Sequence, residues 1–327
     1  QLDKADTTLE GERTHIRHLK RVFGETKKLA ALQIEDVQAY VATRLAVVPN
    51  KRKASGTTVK KELVTFTQIW TWAKRRKCVS QVCPVKDPDN PRRWAVSIPK
   101  HNATPPFQTW VEIEQRIARG GLSAEERQEL WSKLYLTEDQ VLELLDHVKA
   151  KATYSFIYPL FAVPALSGAR RSEVCRSLID DFNFKDDVLC VRERKRKKDR
   201  QGTTRLVPIS PRLRDIMKSW FAKEHPGGQF TIAPPLHMSR RKDKTGHDQL
   251  TGDEATHHFK QALAGSKWKV LPGYHCLRHS HGAIMSSRGV PMNVIGKWMG
   301  HMTVEMMELY QHLFPTDEQQ CMKKGGF

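Results

Sequence analysis

Apolar residues recur at steps of three and four through the first quarter of the chain, and polar residues fill the positions between them. Ile16, Leu19, Val22 and Phe23 form one stripe, and Ile34, Val37, Val41 and Leu45 a second; this spacing predicts helices. A third stripe, Val59, Leu63, Phe66, Ile69, Trp70 and Ala73, follows Ser55-Gly56-Thr57-Thr58, whose hydroxyls suit a helix N-cap. Pro84, Pro88, Pro91, Pro99, Pro105 and Pro106 then rule out a continuous helix over residues 84–106, because proline lacks the N–H and crowds the preceding turn. Residues 109–132 read as helical on either side of Gly120-Gly121-Leu122-Ser123, with a capping-box pattern at Ser123-Ala124-Glu125-Glu126.

The pattern changes further on. Thr137 opens a helix with Val141, Leu144, Leu145 and Val148 on its apolar face, and residues 154–166 form a strongly apolar run. Phe182 and Phe184 alternate around Asn183, Val188 to Arg194 reads as a strand, and Leu206-Val207-Pro208-Ile209 is its return. Pro208 cannot donate to a ladder, so the return strand is expected at an edge. Helices resume at Pro211, and Val290 to Met299 forms a short helix expected to bury Val294, Ile295, Trp298 and Met299. Gly300 ends that helix and leaves His301 in a turn; Thr303 caps the next helix, which carries Tyr310. The expected fold class is mainly α with a small antiparallel β-sheet. Residues 1–83 form a helical domain, 84–133 a proline-rich linker with accessory helices, and 134–327 a second domain.

Charge narrows the partner. Over 327 residues the net charge is +19 and the isoelectric point is near 9.8, which favours a polyanion. Lys60, Lys61, Lys74, Arg75 and Arg76 flank the third stripe, and on a small helical domain in so basic a chain they suit phosphate-backbone contact. A membrane surface is disfavoured, since no apolar run reaches the roughly 18 residues of a span. The six cysteines are scattered without close pairs, the pattern of buried thiols in a reducing compartment, not of a disulfide framework or zinc site. No signal peptide opens the chain, and residue 1 is Gln, so an N-terminal segment is expected to be missing. The expected location is cytoplasmic, with the nucleoid.

Five short motifs carry the chemistry. They are Ser167-Gly168-Ala169-Arg170-Arg171-Ser172-Glu173, a basic run in which seven of the nine residues 192–200 are Lys or Arg, His275-Cys276-Leu277-Arg278, Gly300-His301, and Tyr310. Attack on a phosphodiester needs its non-bridging oxygens neutralised, and a guanidinium fork does this while staying charged; Arg170 and Arg278 are the candidates. Lys195, on the hairpin, suits a general acid protonating the leaving 5′ oxygen, with Lys197 and Lys198 as rivals and most of the run serving as non-specific DNA contacts. His275 and His279 stand at metal-ligand spacing, but the charged residue between them is Arg278, which repels a cation. No metal and no cofactor are expected, and His275 is instead read as a proton acceptor or hydrogen-bond donor. Tyr310 follows His301 by nine positions (310 − 301). A phenol with a pKa of about 10 becomes a nucleophile when nearby arginines and a histidine favour phenolate. The linkage it forms conserves bond energy, which suits rejoining without ATP.

In order and spacing these stretches resemble the tyrosine recombinase (phage integrase) family. The match runs from Ser167 through Val191–Pro208, His275 to His281 and Gly289-Val290-Pro291 to Trp298-Met299-Gly300-His301 and Tyr310-Gln311-His312. The first domain, with Thr57-Thr58-Val59 and Phe66 to Ala73, resembles the family's core-binding domain. The resemblance implies a clamp around duplex DNA and attack by Tyr310 to give a 3′-phosphotyrosine. It also implies transition-state stabilisation by Arg170, Arg278 and His301, proton donation by Lys195, proton transfer aided by His275, and orientation of these groups by Glu173. Contacts to DNA fall to Lys60, Lys61, Lys74, Arg75, Arg76 and Lys197. The family works as a homotetramer through a Holliday junction, with the C-terminal tail, here residues 313–327, docked on a neighbour and accessory DNA-bending proteins as further partners. Integration or excision of a mobile element is the expected function. The alternatives are a type IB topoisomerase or telomere resolvase, which share the tyrosine chemistry, and a DNA-binding protein that has lost catalysis.

Overall fold

The third apolar stripe is buried as its spacing predicts: Val59, Leu63, Phe66, Trp70 and Ala73 are each at most 2% exposed. They lie on one face of a long helix whose N-cap, Ser55, accepts a hydrogen bond from the Thr58 amide at 3.1 Å. The computed structural model describes Lys4 and residues 6–46, 54–90, 92–99, 107–192, 204–235 and 249–300. It separates the chain into two units, Gln1–Thr104 and Pro105–Phe327.

In the first unit α1 (Asp6–Phe23), α2 (Ile34–Leu45) and α3 (Gly56–Arg75) pack pairwise against one another. Phe23 lies 5.2 Å from Tyr40 and 5.6 Å from Phe66, centroid to centroid. One polar network sits inside this core. Glu62, 1% exposed, accepts from the Tyr40 hydroxyl at 2.6 Å and from the Arg44 fork at 2.9 and 2.6 Å. A buried carboxylate is tolerated only when paired and hydrogen-bonded in this way. The proline-rich stretch expected as linker and accessory helices is shared between the units. Val85 and Val96 pack into the first core, tied by the Ala95 amide donating to the Val85 carbonyl at 3.0 Å.

Its later part belongs to the second unit. There α4 (Trp110–Ala118) and α5 (Ala124–Trp131) both start with capping boxes, the first at Thr109 and the second at Ser123, as the sequence predicts for Ser123. Ile113 enters the second core, and Trp110 meets Trp131 and Trp268 at 4.9 and 5.5 Å. Thr137 caps α6 (Glu138–Lys151), which buries Val141, Leu144, Leu145 and Val148. Next, α7 (Ile157–Ser167) is apolar on every side and forms the centre of the core, packing on α6 and, further along the chain, on α9 (Pro211–Ser219), α10 (Gly252–Leu263) and α11 (Tyr274–Ser287). Such a helix is stable only when fully covered.

Short α8 (Arg171–Val174) follows, and then β1 (Phe182–Asn183), β2 (Val188–Arg192) and β3 (Thr204–Pro208). They form an antiparallel sheet ordered β1-β2-β3, so the strand ending in Pro208 is at the edge, as expected. The last described helix, α12 (Met292–Met299), buries Ile295 and Met299 and half-buries Val294 and Trp298. Its C-cap is Gly300 at φ 67°, a left-handed conformation that glycine adopts without steric cost. The fold is mainly α with a small antiparallel sheet. Among the described residues no helix is long and apolar enough to cross a membrane.

Candidate active site

The first motif begins where α7 stops. Gly168, at φ 68°, is its left-handed C-cap and turns the chain so that Arg170 becomes the N-cap of α8. The Arg170 amide donates to Glu173 Oε2 at 2.7 Å, and its Nη1 donates to Glu173 Oε1 at 2.8 Å. Its Nη2 donates to the Gly300 carbonyl at 2.8 Å. The side chain remains 31% exposed, so a guanidinium with five N–H donors is held at one edge and open at another.

Arg278 projects from the second turn of α11 and is 5% exposed. Its Nη1 donates to the Gly168 carbonyl at 2.5 Å and its Nη2 to the Met299 carbonyl. Both acceptors lie at helix C-termini, where unpaired carbonyls and the dipole attract a cation. His275 stands one turn before His279, with ring centroids 5.3 Å apart. The His275 ring reaches solvent, yet its pKa is lowered, first by partial desolvation and then by the charges of Arg278, Arg170 and Arg171. It is therefore neutral at pH 7 and able to accept a proton. Among the described residues no group of three or more His, Cys, Asp or Glu is placed to hold a metal ion.

Arg205 lies inside the matching stretch Val191–Pro208 but carries no role in the sequence reading. It is 8% exposed on the inward face of β3. Its Nη1 and Nη2 donate to Glu173 Oε1 and Oε2 at 3.0 and 2.6 Å, and its Nε donates to the Trp298 carbonyl at 2.6 Å. Burial alone would raise the Glu173 pKa. Hydrogen bonds from Arg205 and the Arg170 amide, with the Arg205 charge, override that and hold it at about 2. Three successive carbonyls at the end of α12, those of Trp298, Met299 and Gly300, thus each receive a different arginine. Alternation in Thr204-Arg205-Leu206-Val207 was the available signal, but it also permits the opposite face, and Leu206 is in fact 58% exposed.

The structure thus brings Arg170, Glu173, His275 and Arg278 to one region. Lys195, Lys197, His301 and Tyr310, and the tail at 313–327, lie outside the described residues. In the first unit, Lys60, Lys61, Lys74, Arg75 and Arg76 are exposed on α3. Trp72, 59% exposed with Arg76 over its ring at 5.6 Å, and Val64, 42% exposed, are on the same helix.

Behind the site, His281 is 6% exposed and its Nε2 has no hydrogen-bond partner. Burial lowers its pKa to about 4, despite a hydrogen bond with the Ala165 backbone that raises it. The native ring stays neutral down to that value, whereas an unfolded histidine protonates near 6.5, so unfolding takes up a proton between the two. The contribution is complete above the unfolded value and is lost as pH falls toward the folded one, about 2 kcal/mol by pH 5. Thermal unfolding at pH 7 and 5 should therefore show wild type losing more stability than His281→Gln, and equal pH slopes would remove His281 as the source.

Arginine forks, an ionised buried glutamate and a neutral histidine, carried by α8 and the first turns of α11, meet the C-terminal ends of α7 and α12 on a mainly helical unit, a charge arrangement that suits an oxyanion. Residues 134–317, more than half the chain, match the model of the phage integrase family, and the chain belongs to that family. It is 27% identical over 191 residues to the tyrosine recombinase XerA of Pyrococcus furiosus, covering 58% of this chain and 61% of the relative. It is 26% identical over 210 residues to an integrase/recombinase from Escherichia coli, covering 54% and 59%. The chain thus spans about three-fifths of the length of these relatives. The fold is similar to the Tn1549 transposon integrase in complex with a circular intermediate DNA, with TM-score 0.66, 13% identity and coverage of 98% of this chain and 94% of that one. It is also similar to a lambda integrase dimer bound to a COC' core site, with TM-score 0.63, 13% identity and coverage of 96% and 91%.

Proposed function

We propose that this protein is a site-specific DNA recombinase that breaks and rejoins duplex DNA through a 3′-phosphotyrosine on Tyr310, in the integration or excision of a mobile element. The observation that carries the reading is the convergence of Arg170 and Arg278 on the end of α12, at Gly300 and Met299, immediately before His301. In the reaction the Tyr310 oxygen attacks phosphorus and the bond to the 5′ oxygen breaks. Lys195 gives that oxygen a proton, and His275 takes the phenolic one. Arg170, Arg278 and His301 hold the non-bridging oxygens while the phosphorus is five-coordinate, and Glu173 orients Arg170. Religation is the same path reversed, with a 5′ hydroxyl as nucleophile, so no energy-rich cofactor enters.

Duplex DNA is the substrate, gripped through phosphate contacts from Lys60, Lys61, Lys74, Arg75, Arg76 and Lys197. A homotetramer on two DNA sites performs strand exchange; solved structures of like fold that hold DNA support duplex DNA as the partner. The test starts from a randomised duplex library, from which the chain selects bound DNA. A nick placed just downstream of the cleaved phosphate lets the short fragment bearing the new 5′ hydroxyl escape and traps any covalent complex. The expected result is an adduct whose DNA-linked peptide maps to Tyr310 and which forms equally well with a metal chelator present. Absence of an adduct at every nick position, with binding intact, would refute the enzyme reading.

A further inference from the structure

The inward side of β3 holds a group that the cleavage chemistry above does not use. Its exposure alternates along the strand, with Arg205 and Val207 facing in and Thr204, Leu206 and Pro208 facing out. A strand in this position gains stability from an apolar residue at each inward site, whereas a buried guanidinium must recover its lost hydration from well-placed partners. Arg205 has them. Its fork engages both Glu173 oxygens, at 3.0 and 2.6 Å, and its Nε engages the Trp298 carbonyl at 2.6 Å.

These contacts tie together three separate parts of the site. Glu173 is the residue that holds the Arg170 side chain and amide. Trp298 stands two residues before Gly300, whose carbonyl takes the other Arg170 nitrogen. Arg205 itself pairs with Val191 of β2 across the sheet. A lysine cannot span this arrangement, since one ammonium lacks the planar fork.

We infer that Arg205 is a positioning residue for DNA cleavage: it fixes the Glu173 carboxylate and the end of α12, and thereby aims the open edge of Arg170 at the scissile phosphate. This rests on the recombinase reading, and it adds to it a residue that touches no DNA. Without Arg205, the charged partner left to Glu173 among the described residues is Arg170. The carboxyl then protonates more readily and releases the Arg170 fork, so the defect falls on neutralising the phosphate.

The test uses the full chain, the duplex selected by wild type, and a second copy of that duplex with a methylphosphonate at the cleaved position. The methylphosphonate lacks the non-bridging negative charge and so depends less on a well-aimed arginine. For Arg205→Gln, folded by circular dichroism and binding the duplex as wild type does, the single-turnover cleavage rate on phosphate is expected to fall roughly 100-fold. On methylphosphonate the deficit shrinks to within about 10-fold, and the acid limb of the rate profile moves to higher pH, because Glu173 has lost its strongest support. Arg205→Lys, which keeps the charge, is expected to lie between the two and carries the same comparison if the glutamine variant does not fold.

Cleavage within about 3-fold of wild type, a scale too small for a lost electrostatic group, would overturn the inference. So would a loss equal on phosphate and methylphosphonate, which marks a merely structural role. If wild type itself gives no adduct, the recombinase reading fails; an active wild type beside an unaffected variant overturns the role of Arg205 alone.

Discussion

Arg278→Ala should lower covalent-adduct formation by roughly 1,000-fold, the scale for removing a preorganised electrostatic group from an excluded site. Two losses combine. The first is chemical: the guanidinium next to His275 is one of two proposed to hold the phosphate oxygens. The second is architectural. Arg278 is 5% exposed and joins the Gly168 carbonyl, at the end of α7, to the Met299 carbonyl, at the end of α12. Alanine leaves both carbonyls without that donor in a dry site, at about 1–3 kcal/mol each. Arg278→Lys separates the two effects. It keeps a charge but cannot reach both carbonyls with a planar fork, so it should recover part of the stability and little of the rate. Denaturant unfolding and single-turnover cleavage read these separately, and a lysine variant as active as wild type would show that charge alone suffices.

Gly168→Ala is the second large effect, expected to cost about 3 kcal/mol of stability and most of the cleavage rate. At φ 68° an L-residue is strained, by about 1–2 kcal/mol. Space is also missing: a Cβ there would stand 2.8 Å from His281 Cδ2 and 3.3 Å from Met299 Cγ. The His281 ring is buried and cannot swing into solvent, so relief must come from the turn carrying Arg170. Adding His281→Ala removes the nearer clash but not the backbone strain, so the double variant should regain about half of the lost stability, the share assigned to the clash. Additive losses would mean that the two side chains do not meet.

Much of this architecture can be read from the sequence, and the reasons are local. Long amphipathic stretches such as the α3 stripe and the α6 face repeat their pattern often enough to fix both type and buried side. Pro208 announces its edge position through a missing donor. Arg170, His275 and Arg278 are legible because phosphate chemistry calls for those side chains, and Glu173 only through the family resemblance. Arg205 escaped for two physical reasons. A five-residue strand offers too few alternations to choose its inward face, and a guanidinium beside a run of seven other cations looks like one more solvated charge. Val85 and Val96 were likewise hidden. Prolines show where a helix cannot run, but not that the segment folds back onto a core. The cluster of Trp110, Trp131 and Trp268 joins residues far apart in sequence, which no local pattern can show.

The three arginines on the end of α12 have a consequence in time. Arg170 and Arg205 precede their carbonyl partners by 130 and 93 residues, and synthesis runs from the N-terminus. A chain emerging from the ribosome carries Arg170, the arginine proposed to hold phosphate, long before the helix end that its fork engages. Only when Trp298, Met299 and Gly300 have been made and docked does that fork acquire its direction, and the proposed nucleophile, Tyr310, comes later still. The DNA cleavage proposed for this protein thereby has no assembled site through most of the chain's own manufacture.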